Sequence, residues 1–486
     1  MGEILTHIAS WLPLILLVGD WSIRILLTPV VITRHRPAEA TAWLLIIIFA
    51  PFLGFAIYLL LGGTNLGSRR GRKYGLAAAE FARSTGKHPK AQRSLPASTI
   101  PYRHRDHVRL CQRVGNMPMT INNHAHLLDH THKAATTLAA DIDRAQHHAH
   151  LLYYIVRDDA DARVVFEALT RAAQRGVQCR FLVDASGSKH FLRSRACTEL
   201  RRAGVEVVAA LPVNPLRHHL HRIDLRNHRK LAIIDASIAH TGSCNLCDPT
   251  YGRTDGLVWR DVVVRLSGPI VHSLQLVFLE DWHYETGAFP DADSLFRTDW
   301  PRDGEVAVQA IPTAPIPSVG SFRDVIVSAI HEADRNITLT TPYLVPDEPV
   351  IVALRTAALG GLDVDLVVPK VNNNRLVSAA ARAYYAELLE AGVRIHEHTN
   401  GLLHAKTLTV DESFAIVGSG NFDIRSFRLN LELTLLLFGE AFTREVRDLQ
   451  HAYIRDAIQI NAKNWLARSK WSRLAENTAK LFGPVL

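Results

Sequence analysis

Six residues of fixed type recur twice in the chain at the same spacing, and most of them carry side chains that can do chemistry. The two sets are His228, Lys230, Asp235, Gly242, Ser243 and Asn245, and His404, Lys406, Asp411, Gly418, Ser419 and Asn421. Counted from each histidine, the other five residues follow at offsets 2, 7, 14, 15 and 17 in both sets. Ordinary amino-acid usage would produce one such set at roughly one in 10^7 to 10^8 positions. The repeat therefore indicates a duplicated unit that carries chemistry.

One set alone is too small for a catalytic cycle, because it offers a single imidazole and a single ammonium group. The apolar residues after each lysine, 231–234 and 407–410, predict a β-strand, on which His and Lys two positions apart project from one face. Together the two sets provide a neutral imidazole to attack phosphorus and a protonated one to give a proton to the leaving alcohol. Charge on the phosphate oxygens can be stabilised by Lys230, Lys406, Asn245 and Asn421. This chemistry suits a phosphodiester and requires no metal or other cofactor.

Alternating strands and helices must position these residues. The pattern predicts strand, helix and strand in the first half at 151–156, 165–176 and 179–183. The same order is predicted in the second half at 337–339, 349–359 and 364–368. Such an order predicts open, largely parallel sheets covered by helices. We expect an α/β fold in which two α/β/α halves pack around a pseudo-twofold axis.

Two apolar stretches near the start of the chain predict membrane-spanning helices. Thr41–Leu61 has 21 residues without a charge, and a helix of that length crosses the roughly 30 Å hydrocarbon layer. Pro51 lies inside it and is expected only to kink the helix. The earlier stretch, Ile4–Ile32, contains Asp20 and Arg24 one helical turn apart, and is either a second spanning helix or a re-entrant or interfacial segment. We expect two spanning helices that form a hairpin.

Charged residues beside these stretches indicate orientation. Four basic residues follow the second stretch and two lie between the stretches: Arg69, Arg70, Arg72 and Lys73, and Arg34 and Arg36. Basic loops stay in the cytoplasm, so the C-terminal body is expected there, with the N-terminus on the same side of the membrane. The net charge of +8 favours an anionic partner such as phospholipid or nucleic acid. The 48% of hydrophobic residues agrees with a membrane-embedded segment.

Three further patterns have a chemical and a plain structural interpretation. Cys244 and Cys247 form a C-x-x-C pair, but no second pair completes a zinc site, so packing residues are favoured. The histidine clusters at 147–150 and 218–221 lack accompanying carboxylates or thiols, and we expect a surface patch instead of a metal site. The stretch 465–482 mixes aromatic and basic residues, which predicts an amphipathic helix either on the membrane surface or packed on the body.

The paired motifs resemble those of the phospholipase D superfamily. That resemblance implies that one motif histidine forms a covalent phosphohistidine and the other is the general acid and base. It also implies an acidic residue some thirty positions after each motif histidine that holds the imidazole of the opposite half; Asp261 and Glu432 fit. Asp235 and Asp411 are counted with the catalytic motif, although stabilising their loops is favoured over contact with substrate. The expected phosphate-binding or supporting residues also include Ser243, Asn245, Ser419 and Asn421.

A narrower resemblance, from about Arg34 to the C-terminus, is to bacterial cardiolipin synthases of the phospholipase D type. It includes the segments "RGVQCRFLVDASGS", "DLRNHRKLAIID", "DPTYG", "TPYLVP", "GLLHAKTLTVD" and "FDIRSF". The resemblance implies phosphatidyl transfer between two phosphatidylglycerols, which yields cardiolipin and glycerol, in the bacterial inner membrane. It implies those lipids as partners, with no nucleic acid. By analogy with the superfamily, His228 is assigned as the nucleophile.

Two other functions remain open from the residues alone. A membrane-bound phosphodiesterase of the same superfamily would use the same side chains to hydrolyse phospholipid or nucleic acid. A non-catalytic lipid-binding scaffold is disfavoured because both motifs are complete. The sequence leaves open the oligomeric state and whether phosphatidylethanolamine can be a donor. The expected segments are two transmembrane helices (1–63), a basic linker (64–100), a first half (101–288), a Pro-rich connection (289–321) and a second half with a basic amphipathic C-terminus (322–486).

Overall fold

The computed structural model of the chain describes residues 2–35, 37–63, 100–212, 224–253, 256–288, 300–315 and 320–483, with residues 290, 295 and 296. Almost all of the expected basic linker, and the histidine cluster at 218–221, lie outside the described residues. The chain forms two compact units, of which the first contains the N-terminal helices and the second contains both motifs.

The first apolar stretch forms one continuous helix, α1 (Gly2–Arg34). Within the described ranges it is the one helix long and apolar enough to cross a membrane, over the 24 residues Trp11–Arg34. At 1.5 Å per residue that segment is about 36 Å long. Asp20 and Arg24 pair on one turn, with Arg24 Nη2 3.2 Å from Asp20 Oδ1. The pair therefore partly neutralises itself and does not interrupt the helix.

The second apolar stretch is not a single helix, and the prediction of one kinked spanning helix over Thr41–Leu61 is wrong. It consists of α2 (Pro37–Phe49) and α3 (Pro51–Leu61), with Ala50 between them at φ −141° and ψ 69°. The residue before a proline disfavours the α region, and Pro51 has no N–H to donate. At 13 and 11 residues, the two helices are about 20 and 16 Å long, too short to span singly.

Helix α3 runs back along α2. The rings of Trp43 and Tyr58 lie 5.1 Å apart, and His35 Nε2 lies 3.3 Å from Tyr58 Oη. A straight helix would separate residues 43 and 58 by about 22 Å. The end of α3 therefore returns to the level of the start of α2. Inside this small bundle Val31, Ile47 and Tyr58 are buried.

The second unit is built on β-strands. In chain order they are β1 (Met119–Leu128), β2 (His148–Tyr153), β3 (Gln178–Asp184), β4 (Glu206–Ala210), β5 (Leu231–Ile234), β6 (Ile238–Gly242), β7 (Trp259–Arg260), β8 (Val263–Ser267), β9 (Val306–Thr313), β10 (Asn336–Thr340), β11 (Leu344–Val345), β12 (Asp363–Pro369), β13 (Arg394–His398), β14 (Leu402–Leu403), β15 (Thr407–Val410), β16 (Phe414–Gly418), β17 (Phe422–Asp423), β18 (Glu432–Phe438) and β19 (Ala457–Gln459). Fifteen of them form one sheet in the order β19-β13-β12-β10-β15-β16-β18-β9-β1-β8-β6-β5-β2-β3-β4. The pairs β11-β17 and β7-β14 form two small sheets.

Helices cover this sheet. They are α4 (Arg105–Gly115), α5 (Thr131–Asp143), α6 (Ala160–Gln174), α7 (Lys189–Leu192), α8 (Arg195–Arg202), α9 (Ile270–Thr286), α10 (Phe322–His331), α11 (Glu348–Leu359), α12 (Arg375–Arg382), α13 (Tyr385–Glu390), α14 (Ile424–Arg428), α15 (Glu440–Arg455), α16 (Ala462–Leu466) and α17 (Lys470–Lys480), after a short 3-10 turn at Tyr102–His104. Every residue of β2, β5, β15 and β18 is buried, so the polar side chains on these strands lie in the protein interior.

The α/β fold is present, but the sheet is mixed and not largely parallel. Strands β2, β3 and β4 are parallel, as are β10, β12 and β13. The motif strands β5 and β15 instead run antiparallel to β2 and β10. Each motif strand is also the first strand of a tight hairpin, whose turn contains the motif aspartate, Asp235 at φ 50° and Asp411 at φ 51°. That turn leads directly into an antiparallel partner strand.

The expected Pro-rich connection is partly a strand of the sheet. Residues 306–313 form β9, which pairs with β1 on one side and β18 on the other. Its first six residues, 306–311, are all buried, as expected of a strand in the interior of a sheet. The prolines around this short apolar run favour a connection, so the sequence pattern did not predict a strand here.

Candidate active site

Backbone pairing between the two halves positions each motif histidine. The His228 N–H donates to Leu431 O at 2.9 Å, one residue before Glu432. In the second half the His404 N–H donates to Arg260 O at 2.9 Å, one residue before Asp261. Each histidine therefore enters its strand beside an acidic residue of the opposite half.

The two imidazoles are held by these acidic side chains. His228 Nδ1 lies 3.0 Å from Glu432 Oε2, and His404 Nδ1 lies 2.6 Å from Asp261 Oδ1. A neutral imidazole that donates from Nδ1 keeps the lone pair on Nε2. Both contacts implied by the family resemblance are therefore present, and they leave each histidine able to accept or transfer a proton, or to attack, through Nε2.

The Gly-Ser pairs bring a hydroxyl to each carboxylate. Ser243 Oγ donates to Asp261 Oδ1 and Ser419 Oγ donates to Glu432 Oε2, both at 2.5 Å. The glycine before each serine permits this approach: a Cβ on Gly242 would lie 2.3 Å from Val262 O. On Gly418 it would lie 2.7 Å from Leu433 O. The Gly-Ser part of the motif thus supports the carboxylates, and its serines lie behind the histidines.

Glu432 is the more heavily hydrogen-bonded of the two carboxylates in the described residues. Its Oε1 accepts from Ser426 Oγ at 2.9 Å and from Asn430 Nδ2 at 3.1 Å. A fully buried carboxylate is costly unless such donors compensate for the lost water. These contacts, with those of His228 and Ser419, keep the side chain ionised and fixed in orientation.

The two motif lysines lie beneath the histidines. Lys230 Nζ donates to His228 O, and Lys406 Nζ donates to His404 O, both at 2.6 Å. Burial lowers the pKa of Lys230 to about 8 and that of Lys406 to about 7, against the opposing effect of the nearby carboxylates. At neutral pH the site therefore retains positive charge, but Lys406 is close to losing its proton.

The histidines are neutral and the acids are ionised at neutral pH. Burial lowers the pKa of both His228 and His404 to about 4, although Glu432 and Asp261 oppose that shift. Burial acts to raise the pKa of Asp261, but the charge and hydrogen bond of His404 hold it well below its usual range. A neutral imidazole is the form that can attack phosphorus. An anionic substrate would favour protonation of the second imidazole.

Both histidines line one cavity of about 290 Å³. Among the predicted residues Asn245 and Asn421 also line it, whereas the lysines, serines and acids lie behind its wall. Sequence reasoning gave no role to several other lining residues, which are Tyr154, Arg226, Tyr251, Tyr343, Asp423 and Arg425. Five of these six occur in the quoted segments "DLRNHRKLAIID", "DPTYG", "TPYLVP" and "FDIRSF", which could have pointed to them.

Aromatic rings fix the orientation of each histidine. Tyr154 meets His228 edge-on, with ring centroids 4.8 Å apart, and Trp259 meets His404 in the same manner at 5.1 Å. Tyr251 stacks on Trp259 at 5.5 Å. Such contacts restrict rotation of the imidazoles. The sequence gave no signal for this role of Tyr154, which the predicted strand 151–156 included, whereas strand β2 ends at Tyr153.

The motif aspartates lie away from the cavity, at the far ends of the motif strands. Asp235 accepts hydrogen bonds from the backbone N–H groups of 146, 147 and 148, at 2.7 to 2.8 Å. Asp411 does the same with 334, 335 and 336, at 2.9 to 3.0 Å. Counting them among the catalytic residues is therefore corrected: these carboxylates tie each hairpin turn to a neighbouring strand.

The histidine cluster at 147–150 is not a surface patch. His148 and His150 are fully buried on β2, their rings stack at 4.4 Å, and His150 stacks on Phe278 at 4.5 Å. The expectation failed because β2 is covered on both faces.

Cys244 and Cys247 are buried as free thiols, as expected of packing residues. Among the described residues no group of three or more His, Cys, Asp or Glu side chains could hold a metal ion.

Comparison with known proteins identifies the family. The family described as "Cardiolipin synthase, PLD-like domain" matches residues 138–282 and again 326–452. A second family, "Phospholipase_D-nuclease N-terminal", matches residues 22–63. Cardiolipin synthase A of Serratia proteamaculans (strain 568) is 35% identical over 486 residues, which covers 99% of each chain. Cardiolipin synthase A of Yersinia pseudotuberculosis (serotype O:1b, strain IP 31758) is 35% identical over 491 residues, with the same coverage.

A solved structure shares the fold at low sequence identity. The phosphatidylserine synthase of Haemophilus influenzae Rd KW20 superposes with a TM-score of 0.56 at 14% identity, over 78% of this chain and 98% of that one. The family matches, the full-length relatives and the paired histidine sites all indicate the same family. The chain belongs to the family of cardiolipin synthases with phospholipase D-like domains.

Proposed function

We propose that this protein transfers a phosphatidyl group from one phosphatidylglycerol to another, which yields cardiolipin and glycerol. The observation that carries the proposal is the pair of imidazoles, each held by a carboxylate of the opposite half, on one cavity. The full-length similarity to proteins named cardiolipin synthase A supports transfer in preference to hydrolysis.

The reaction has two steps. His228 Nε2 attacks the phosphorus of the donor, so that an N–P bond forms and the bond to the glycerol oxygen breaks. Protonated His404 gives its proton to that oxygen, and glycerol leaves. In the second step His404 accepts the proton of a hydroxyl on the acceptor lipid. The acceptor oxygen then attacks phosphorus and breaks the N–P bond, which forms cardiolipin and regenerates both histidines.

Each buried group has one task in this scheme. Lys230 and Lys406 offset the charge on the phosphate oxygens, and their positive charges act on both imidazoles. Glu432 and Asp261 hold the imidazoles and stabilise them when they carry a positive charge. The carboxylates remain ionised throughout and act as positioning residues.

The body is proposed to consist of two phospholipase D-like halves related by a pseudo-twofold axis. From one edge the sheet order is β4-β3-β2-β5-β6-β8, and from β13 at the other side it is β13-β12-β10-β15-β16-β18. Corresponding pairs have the same relative direction, and the family matches twice along the chain. Duplication explains why each half contributes one motif histidine, together with the acidic residue that holds the histidine of the opposite half.

Product analysis tests the proposed reaction. Purified enzyme in phosphatidylglycerol vesicles is expected to form cardiolipin and glycerol in equal amounts, with phosphatidic acid as a minor product. Added glycerol should drive the reaction backwards, because one phosphodiester is exchanged for another. Phosphatidic acid as the chief product would contradict the transfer reaction and favour hydrolysis. The His404→Ala variant serves as the control for product formed without catalysis.

The pH profile is expected to have an alkaline limb set by the lysines. Above about pH 7 to 8, kcat at saturating phosphatidylglycerol, where the bound anion keeps His404 protonated, should fall, because Lys406 and then Lys230 lose the protons that make them cationic. Below about pH 4 it should fall again, because the nucleophilic imidazole becomes protonated. Assays in neutral detergent micelles avoid surface-charge effects. In Lys406→Arg the side chain stays charged, so the fall in rate that begins near pH 7 should disappear. An unchanged alkaline part of the profile would contradict its assignment to Lys406.

The proposed location is the bacterial inner membrane, with the catalytic part in the cytoplasm. Helix α1 crosses the bilayer once, and the folded-back pair α2 and α3 enters and leaves on one side. Arg34, Arg36 and the basic residues 69–73 then all lie on the cytoplasmic side, instead of being divided by a second crossing. In this arrangement the start of α1 lies on the opposite side, whereas the sequence-based expectation put it on the cytoplasmic side.

Cysteine accessibility distinguishes this topology from a hairpin of two spanning helices. Single cysteines at Glu3, Arg36 and Thr64 would be probed with a membrane-impermeant maleimide in right-side-out and inside-out vesicles. The position at 3 is expected on one side, and positions 36 and 64 on the other. Labelling of 3 and 64 on the same side, opposite to 36, would restore the hairpin.

A further inference from the structure

The C-terminal helix α17 carries an apolar stripe that faces solvent. Trp471 is 80% exposed and Leu474 55%, and Leu481 and Phe482, just past the helix end, are 78% and 50% exposed. At 100° per residue these four positions fall within an arc of about 100°. A single exposed apolar residue needs no explanation, but four on one arc mark an interaction surface. We call these four residues the C-terminal lip.

The opposite face of α17 fixes the helix to the body. Ala479 and Glu476 are buried, and Glu476 forms a bidentate pair with Arg468 at 2.7 and 2.9 Å. Lys480 Nζ lies 4.1 Å from the ring centroid of Tyr384. The helix packs against α12. The helix therefore packs on the body with one face, as one of the two sequence interpretations predicts, and leaves its apolar face outward.

The lip is beside the mouth of the active-site cavity. Val377 on α12, and Asn373 and Asn374 just before that helix, line the cavity. At the end of α17, a Cβ on Gly483 would lie 3.2 Å from the side chain of Val345, another lining residue. Apolar exposure continues toward this rim, with Val371 and Leu376 at 44% and 41%.

The charged residues around the lip favour an anionic partner. Lys470 and Arg473 are exposed on the flank of the stripe, and the acidic residue of α17, Glu476, is already paired on the buried face. A tryptophan and aliphatic side chains bordered by cations fit the headgroup region of an anionic leaflet. We propose that the C-terminal lip inserts into the bilayer that contains the substrate and holds the cavity mouth at headgroup level. This inference rests on the proposed function, because it concerns how a bilayer lipid reaches that cavity.

Depth measurement on the full-length protein tests insertion without depending on turnover. Leu474→Cys would be labelled with an environment-sensitive fluorophore in phosphatidylglycerol-containing vesicles, since the native cysteines are buried. The matched control is Leu359→Cys, a 66% exposed leucine at the end of α11. It precedes β12, whose first residue pairs with Asn336 at the strand ends away from the cavity.

The label at 474 is expected to be quenched by lipids with nitroxide-bearing chains and to be shielded from aqueous iodide. The label at 359 is expected to be quenched by iodide and not by those lipids. Shielding at 474 from iodide without quenching by the lipids would mean that another protein surface covers the lip, and would overturn the proposal. Equal access of iodide to both labels would overturn it as well.

Kinetics separate this role from a structural one. Trp471→Gln combined with Leu474→Gln should lower turnover several-fold on bilayer phosphatidylglycerol, while Leu359→Gln should not. On short-chain phosphatidylglycerol below its micelle concentration, the double variant should equal the unmodified protein. Equal losses on both substrates would contradict a membrane role. If the unmodified protein formed no cardiolipin, the proposed function would fail while the depth measurement still decided insertion.

Discussion

Alanine in place of His228 or His404 is expected to lower the rate of cardiolipin formation by roughly 10^4-fold or more. The His228 variant lacks the nucleophile, and the His404 variant lacks the proton donor and acceptor, so neither can complete both steps. The rate is measured as cardiolipin formed from phosphatidylglycerol in mixed micelles. His147→Ala is the matched control, because the His147 side chain is exposed and its contact with Asp235 is made by the backbone N–H, which alanine keeps. Activity near that of the unmodified protein in either variant would exclude the two-histidine mechanism.

Trapping of the covalent intermediate identifies the nucleophile. Rapid quenching with substrate and mass-spectrometric mapping are expected to find the phosphatidyl group on His228, which is assigned as the nucleophile by analogy. Both imidazoles have equivalent contacts with a carboxylate through Nδ1. A phosphoenzyme mapped to His404 would therefore reverse the two roles and leave the mechanism intact.

Removal of the Asp281 carboxylate is expected to cost roughly 3 to 5 kcal/mol of folding free energy. Arg229, between the catalytic His228 and Lys230, is almost fully buried and donates from Nη1 to both Asp281 oxygens, at 2.8 and 2.9 Å. It also donates to Glu432 O and Thr313 O, so it links the first motif to strands β18 and β9. In Asp281→Ala the buried guanidinium would lose the carboxylate that accepts two of its hydrogen bonds.

Thermal unfolding in detergent measures this effect against a matched control. Asp143 and Arg171 form a bidentate pair of the same type, at 2.8 and 2.9 Å, but both side chains are substantially exposed. Asp143→Ala is expected to cost less than about 1 kcal/mol. Equal midpoints for the two variants would show that burial does not determine the strength of the Arg229 pair.

The chemistry-bearing residues were predictable because the motif is local. A histidine and lysine two apart on a strand, and a Gly-Ser-x-Asn segment after a tight turn, depend only on near neighbours, so both copies could be found by spacing. The predicted family is confirmed by the comparisons. The strand and helix pattern of each half was also recognisable from apolar periodicity, since most of these elements bury one face.

Contacts between distant segments were decided by the tertiary structure. Which acid meets which histidine depends on pairing across 204 residues for His228 and Glu432, and 143 for His404 and Asp261. Family resemblance, and not periodicity, anticipated those contacts. Tyr154 and Trp259 acquire their role only where the chain brings them edge-on to an imidazole.

The apolar stretch 41–61 shows the same division between sequence and structure. Its composition determines that it avoids water, since 21 uncharged residues favour a lipid environment. Composition does not determine whether the backbone continues straight through Ala50 and Pro51. The path depends on partners such as His35 and Trp43, which pack against Tyr58 only after the chain has turned back. Hydrophobicity is a sum over residues and can be read along the chain, whereas the direction of the chain is set by contacts between residues far apart in it.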